Sequence, residues 1–236
     1  MWIRNRVNSG RTARAIDSVR GVGKLLNIAG TADEDTQADT VTAFNTNGFS
    51  VGADSNQYGV NDNTESHISW CWKAGTSFTN DASATGIGTI DSTGSVNTDA
   101  GFSIVKWTGT TSNGTIAHGL GTTPSLFISK SMAGAHAWGV YHKSIGIGSS
   151  TLLNSTGASD ADATYYGGTS PTSTTMGLGT TNATNASGDM IGYAFAEKQG
   201  YSKFGSYKGN GNADGTFVYT GFKPAFFICK RYNDAG

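Results

Sequence analysis

The chain has 236 residues, of which 34 are glycine and only 3 are proline, and its formal net charge is −1. Charged residues make up 14% of the chain, against about 25% in an ordinary globular domain, which speaks against a helical bundle, a coiled coil and a charge-rich disordered tail. The near-neutral net charge does not indicate the basic surface that binds nucleic acid. No apolar run approaches the ~18 residues of a membrane-spanning helix. We therefore expect no nucleic-acid partner and no membrane insertion.

Short strand-like runs separated by Gly, Asn, Asp and Ser clusters fill the chain, and helical periodicity is scarce. The first clear run is Ile68 to Trp72, where large and small side chains alternate as they do on a half-buried strand. Further strands are predicted, in chain order, at Phe102 to Thr108, Ser125 to Lys130, Ala137 to His142, Thr151 to Asn154, Asp189 to Glu197, Thr216 to Tyr219 and Ala225 to Arg231. Short strands with regular turn signals indicate an all-β sandwich or barrel.

Two internal matches show that the chain contains repeats. The first joins residues 107–130 to 207–230 at a constant offset of 100, for example Pro124 to Pro224. The second joins the middle of the chain to its start: Leu152-Leu153-Asn154 echoes Leu25-Leu26-Asn27 at offset 127, and Ile191, Tyr193 and Phe195 echo Ile68, Trp70 and Trp72 at offset 123.

The repeats predict four segments. Residues 101–200 form one complete β unit, and residues 1–75 form a unit that lacks its first strands. Residues 76–100, rich in Thr, Ser and Gly, are predicted to be a long loop or linker. Residues 201–236 carry the opening strands of a further unit, which could complete the N-terminal unit in cis, by contact with a neighbour, or not at all.

The residues also carry a family resemblance. The segment His118-Gly119-Leu120-Gly121-Thr-Thr-Pro124 resembles one found in tail-fibre-like proteins of tailed bacteriophages. A longer series resembles an uncharacterised repeat domain in virion and tail proteins of marine phages; it includes Trp138-x-x-Tyr141-His142, Ser187-Gly188-Asp189, Phe195-Ala196-Glu197, Gly200 to Tyr207 and Tyr219 to Ala225. The resemblance is strong over 101–236 and weaker over 1–75. It implies lectin-like, antiparallel β-sandwich units with little helix, of the jelly-roll or concanavalin-A-like kind.

The sequence gives little support to an enzymatic function. Gly48-Phe49-Ser50-Val51-Gly52 matches a nucleophile elbow, but a loop-like stretch follows it instead of the helix that such an elbow requires. The only glutamates, Glu34, Glu65 and Glu197, are too scattered for a paired-carboxylate glycosidase. We predict no catalytic residues.

The sequence evidence for metal binding and for reactive cysteines is equally weak. Asp160 and Asp162, or Asn210, Asn212 and Asp214, alternate as calcium ligands do, but neither set has the distal bidentate glutamate. We therefore predict no cofactor and no metal ligands, with calcium as a weaker alternative to solvated turns. Cys71 and Cys229 align with Ala194 and Ser129, which favours buried thiols that act as small apolar residues.

Three aromatic residues beside polar loops are the candidates for a glycan contact: Trp138, Tyr165 and Tyr166. Aromatic faces stack on sugar rings, although ordinary packing at one end of the sandwich would also explain these residues. The function predicted is a non-enzymatic structural or adhesin component of a phage tail, with host-surface glycans, the host envelope, other virion proteins and further copies of itself as partners. The alternatives are a purely architectural virion spacer and a carbohydrate-binding module of a secreted bacterial protein, so the expected location is the virion or the extracellular space.

Overall fold

The computed structural model describes residues 1–233, which form an antiparallel β structure with very short helices. The strands are β1 (Trp2–Asn5), β2 (Arg14–Ala15), β3 (Lys24–Asn27), β4 (Asp35–Thr36), β5 (Val41–Asn45), β6 (Gly48–Val51), β7 (His67–Trp70), β8 (Thr76–Asn80), β9 (Ser92–Asn97), β10 (Phe102–Gly109), β11 (Gly114–Ala117), β12 (Leu126–Ser131), β13 (Gly139–His142), β14 (Thr151–Leu152), β15 (Thr175–Leu178) and β16 (Gly188–Phe195). The helices are α1 (Ala82–Thr85), α2 (Asn182–Asn185) and a 3-10 helix (Ala163–Tyr165). The prediction of an all-β fold is confirmed.

The largest element is a seven-stranded sheet, the central sheet, with the strand order β14-β13-β12-β16-β10-β9-β8. Its middle strand β16 pairs along its length with β12 on one side and β10 on the other. Gly192 in β16 leaves room for the rings of Phe127 and Trp107, which a Cβ at this position would meet. The central sheet can therefore bury these two large aromatic side chains against its middle strand.

The second sheet, the N-terminal sheet, has the order β4-β3-β2-β1-β7. Its run β3-β2-β1-β7 matches the run β14-β13-β12-β16 of the central sheet, as the sequence offsets require. β7 thus takes the place of β16. Among residues 1–233, however, β7 is an edge strand that pairs only with β1.

Four layers stack on one another. The β5–β6 hairpin covers the outer face of the N-terminal sheet, and the β11–β15 pair covers the outer face of the central sheet. Between the two large sheets lies a shared apolar cluster: Ala15, Leu26, Phe102, Ile104, Ile128, Trp138, Val140, Ile191 and Tyr193. The arrangement is consistent with the predicted β-sandwich, whereas the jelly-roll expectation stays a prediction.

Residues 76–100 are not the predicted loop or linker, since β8 and β9 in this range form one edge of the central sheet. The large apolar side chains Phe78 and Val96 of these strands pack against the core, and most of their other side chains are small and polar. The edge strand β8 can have this composition because one of its faces meets solvent. The repeat offsets of 100 and 123 to 127 differ by 23 to 27 residues, which is about the length of this hairpin.

Residues 201–233 contain no strand, so the predicted strands at Thr216 to Tyr219 and Ala225 to Arg231 are wrong. The side chains here are apolar enough for strands, yet Phe217 is 85% exposed and Phe227 is 79% exposed. Ordering an extended segment costs conformational entropy, and a segment without a neighbouring strand gains no interstrand hydrogen bonds to offset that cost. No described strand of this chain pairs with residues 201–233. Residues 201–233 thus have the sequence pattern of strands but lack a described neighbouring strand with which to pair.

Candidate functional site

The three predicted glycan residues do not form one exposed surface. Trp138 and Tyr166 are fully buried, and only Tyr165 is partly exposed. The Trp138 indole stacks on Tyr193 with 6.4 Å between ring centroids, and its Nε1 donates to the backbone oxygen of Asn27 at 2.8 Å. Burial leaves no free ring face on Trp138 or Tyr166, so these two residues are packing residues and the prediction of a sugar contact at them is wrong.

The paired polar residues considered for calcium serve local turns. Asp162 Oδ1 accepts hydrogen bonds from the backbone and the hydroxyl of Thr164 and caps the 3-10 helix. Asn210 and Asn212 accept from the backbone N–H two residues further on, and the Asn210 side chain donates to Asp214 O. In the described range 1–233, no three His, Cys, Asp or Glu side chains are grouped as metal ligands.

Both cysteines are exposed, contrary to the prediction of buried thiols. Cys71 follows the edge strand β7, and Cys229 lies in the segment without strands. Their repeat counterparts Ala194 and Ser129 are buried because both lie in strands of the central sheet. Ser50, in the weak elbow match, lies inside the β5–β6 hairpin, where its Oγ accepts from Asn45.

His118, the first residue of the phage-like motif, holds a buried turn. The backbone N–H of Leu120 donates to its Nδ1 at 3.2 Å, and its Nε2 lies 3.3 Å from the backbone oxygen of Thr172. Both contacts are satisfied when the ring is neutral and Nε2 carries the proton. Burial lowers the pKa of His118 to about 4, against a small opposing effect of the Thr172 carbonyl.

A buried charged network joins the two large sheets. Arg20 Nε lies 2.7 Å from Asp17 Oδ2, and the Tyr193 hydroxyl donates to the same oxygen at 2.7 Å. Burial alone would raise the pKa of Asp17, but the Arg20 charge and these hydrogen bonds hold it below its usual value. Burial raises the pKa of Tyr193 well above its usual value, so Tyr193 stays a hydrogen-bond donor.

Lys130 makes a second polar link between the sheets. This buried residue of β12 donates from Nζ to the backbone oxygens of Thr31 and Ser131, each at 3.0 Å. Burial lowers the pKa of Lys130 to about 8, partly offset by Asp33. Sequence alone marked Lys130 only as a repeated strand end.

Two adjoining clefts, which share Val19, run along the junction of the sheets, and we call them together the junction groove. The first has a volume of about 420 Å³ and is lined by Val19, Arg20, Lys24, Glu34, Lys106, Met132, Ala133 and Asp189. The second has a volume of about 450 Å³ and is lined mainly by small residues, namely Ser18, Gly75, Ser77, Thr79, Thr93, Gly94 and Ser95, with Val19 and Phe78. The groove thus has a charged end and a hydroxyl-rich end.

The charged end contains two partly exposed ion pairs. Lys106 Nζ lies 2.8 Å from Asp189 Oδ2, and Lys24 Nζ lies 3.4 Å from Glu34 Oε1. These groups can each form charge-assisted hydrogen bonds with a neutral polar ligand. Sequence reasoning missed the groove because its walls come from separate sheets.

A second polar cluster surrounds the buried side chain of Asn5, the last residue of β1, which lies opposite the start of β7. Asn5 Nδ2 donates to Asp62 Oδ2 at 2.8 Å and to Glu65, and His67 Nε2 lies 3.4 Å from Asp62 Oδ2. Asp62 Oδ1 is buried and accepts no hydrogen bond from residues 1–233, although Arg11 Nε lies 3.3 Å away as an ion-pair partner. An acceptor in this state is costly unless it gains a donor.

The layered sheets and their buried polar links define a class: an antiparallel all-β protein built from repeated units. Over residues 1–236 the chain matches the family described as a domain of unknown function (DUF7483), and it belongs to that family. No curated protein and no solved structure matches the chain. No helix within residues 1–233 is long and apolar enough to cross a membrane.

Proposed function

We propose that the protein is a non-enzymatic structural and adhesive component of a tailed-phage virion, a tail fibre or tail-associated protein, which binds host-surface glycans in the junction groove. The phage assignment is supported by the resemblance of residues 101–236 to repeats of virion proteins. A rigid β scaffold that presents a surface groove suits adhesion, since repeated copies would add avidity.

The junction groove is the observation that carries the glycan proposal. Sugar hydroxyls both donate and accept hydrogen bonds, so a groove with cations, carboxylates and hydroxyls offers partners for each. Lys106 and Asp189 lie at one end, and Ser77, Thr79 and Thr93 line the other. The proposed binding uses no metal ion.

A purely architectural spacer is the second candidate. The burial of Trp138 and Tyr166 favours it, because the aromatic rings expected to stack on sugars instead hold the layers together. A carbohydrate-binding module of a secreted bacterial protein, which would act outside the cell, is the third. It shares the binding prediction, and neighbouring genes for secretion or hydrolysis in place of virion parts would favour it.

The test is an array of bacterial capsular and lipopolysaccharide-derived polysaccharides, followed by titration calorimetry on any polysaccharide that binds. Asp189→Asn should weaken that binding about tenfold, as expected for the loss of one charge-assisted hydrogen bond. Lys143→Gln is the matched control, since Lys143 forms a similar surface ion pair with Glu197 outside the groove. Binding to no polysaccharide, or equal weakening by both variants, would reject the groove as a glycan site and leave the architectural candidate.

A further inference from the structure

The outer edge of β7 pairs with no strand in the described part of the chain, and its hydrogen-bonding pattern is defined. Arg6 N donates to Ser66 O, and β1 continues the antiparallel register with Arg4 opposite Ile68 and Trp2 opposite Trp70. Because bonded and non-bonded pairs alternate in such a ladder, the backbone groups of the intervening residues point away from β1. These outward-directed residues are His67, Ser69 and Cys71.

The central sheet shows what covers the same edge there. At offset 123, these three residues correspond to Met190, Gly192 and Ala194 of β16. In the central sheet their cross-strand partners in β10 are Trp107, Val105 and Ser103. The strand that would complete the N-terminal sheet is therefore a counterpart of β10.

The chain carries such a counterpart in residues 202–209, at offset 100 from β10. It forms no strand, and Tyr207, the counterpart of buried Trp107, is 53% exposed. The turn that follows shares a positive φ angle with the turn after β10: Gly211 has φ +65°, and its counterpart Thr111 has φ +58°.

The N-terminal unit also contains a buried hydrogen-bond acceptor at the position where this turn would lie. In the central sheet Asn185 holds the turn after β10, because its Oδ1 accepts from Thr110 N at 3.1 Å. At offset 123 the residue in this position is Asp62, whose Oδ1 accepts no hydrogen bond from any described residue. The counterpart of Thr110 is Asn210, which has a backbone N–H to donate.

We propose that residues 202–212 of one copy of this chain add to the edge of β7 in a second copy. The repeat offsets set the register: Lys203 lies opposite Cys71, Gly205 opposite Ser69 and Tyr207 opposite His67. Asn210 N then donates to Asp62 Oδ1. Because the donor segment and the acceptor edge are different surfaces, copies join head to tail and the assembly can continue beyond a dimer.

Within one chain the C-terminal segment contacts the aromatic face beside β7 without pairing with its edge. The Phe226 ring lies 5.7 Å from Trp70 and 6.1 Å from Trp72, centroid to centroid. Phe204 lies instead against His142 and Phe195 of the central sheet. The test must therefore separate pairing between copies from pairing within one chain.

The first experiment is a disulfide that reports the register. Lys203→Cys is made together with Cys229→Ser, so that Cys71 is the only native thiol. Opposed residues of a bonded antiparallel pair have Cα atoms about 5.5 Å apart, which suits a disulfide. Mild oxidation at high protein concentration should give species of two or more chains on non-reducing gels. Ser206→Cys in the same background is the control: its proposed position is three residues away from Cys71, so it should run as a single chain on the same gels.

The second experiment measures association of the full chain by sedimentation. Ser69→Pro removes an outward N–H and should raise the dissociation constant about tenfold, because proline on an edge strand blocks strand addition but spares the β1 pairing. Ser69→Thr, which keeps the N–H, should associate like wild type. A disulfide within single chains, an equal yield from the control cysteine, or association unchanged by Ser69→Pro would overturn the proposal.

Discussion

Residues 102–131 and 202–231 share one sequence pattern, but the first segment forms buried strands and the second forms no strand and is largely exposed. Phe127 is fully buried between β16 and the outer layer, whereas its counterpart Phe227 is 79% exposed. The two segments differ in their partners: β10 and β12 flank β16, while residues 202–231 have no described partner strand. A strand-like sequence pattern is therefore not sufficient for a strand to form. A neighbouring strand that pairs with the segment is also required.

The largest expected difference is between the two phenylalanines. Phe127→Ala should lower the free energy of unfolding by about 3–5 kcal/mol, through lost burial and a cavity beside Gly192. Phe227→Ala should change it by less than about 0.5 kcal/mol, as expected for an exposed site. Urea unfolding of both variants checks this. Similar losses in the two would show that the C-terminal segment is packed like the central sheet.

Next in size is the buried ion pair between the sheets. Arg20→Ala should cost about 3–4 kcal/mol, since it leaves the Asp17 carboxylate buried without its cation. Lys143→Ala, which breaks a surface pair with Glu197, should cost no more than about 1 kcal/mol. Thermal unfolding at constant salt measures both. Equal shifts in the unfolding temperature would contradict the role of Arg20 as a link between layers.

A somewhat smaller effect is expected from His118, which has Val218 as its counterpart in the exposed segment. Its pKa falls from 6.5 to about 4 in the folded protein. Between these values the unfolded chain binds a proton that the folded chain does not, so stability decreases as the pH falls. The loss from this residue should reach roughly 3 kcal/mol by pH 4. Urea unfolding at pH 7 and pH 4 should show a flatter dependence in His118→Gln, and an unchanged slope would refute this assignment.

The sequence predicted the strands that lie inside the central sheet. Phe102 to Thr108 and Asp189 to Glu197 became β10 and β16, because their apolar residues face both neighbouring layers. The strands in residues 76–100 were missed because strands composed mainly of Ser, Thr and Gly lack that apolar signal.

The candidate sites were less predictable than the strands. Trp138 and Tyr166 stand beside polar loops in sequence, and nothing local showed that a second layer would cover them. The junction groove and the Asn5 cluster join residues far apart in the chain, such as Lys24 with Asp189 and Asn5 with Asp62. The exposure of Cys71 likewise depends on the strand that β7 lacks, and alignment with Ala194 could not reveal it.

Hydrogen exchange of backbone amides in the two matching segments tests the central claim most directly. In dilute protein, amides of residues 102–109 should exchange slowly because they lie in a paired strand, while those of residues 202–209 should exchange quickly. Raising the protein concentration should slow exchange in residues 202–209 and in the edge strand β7 together. Slow exchange in residues 202–209 already at high dilution, or no change at β7 on concentration, would contradict the account.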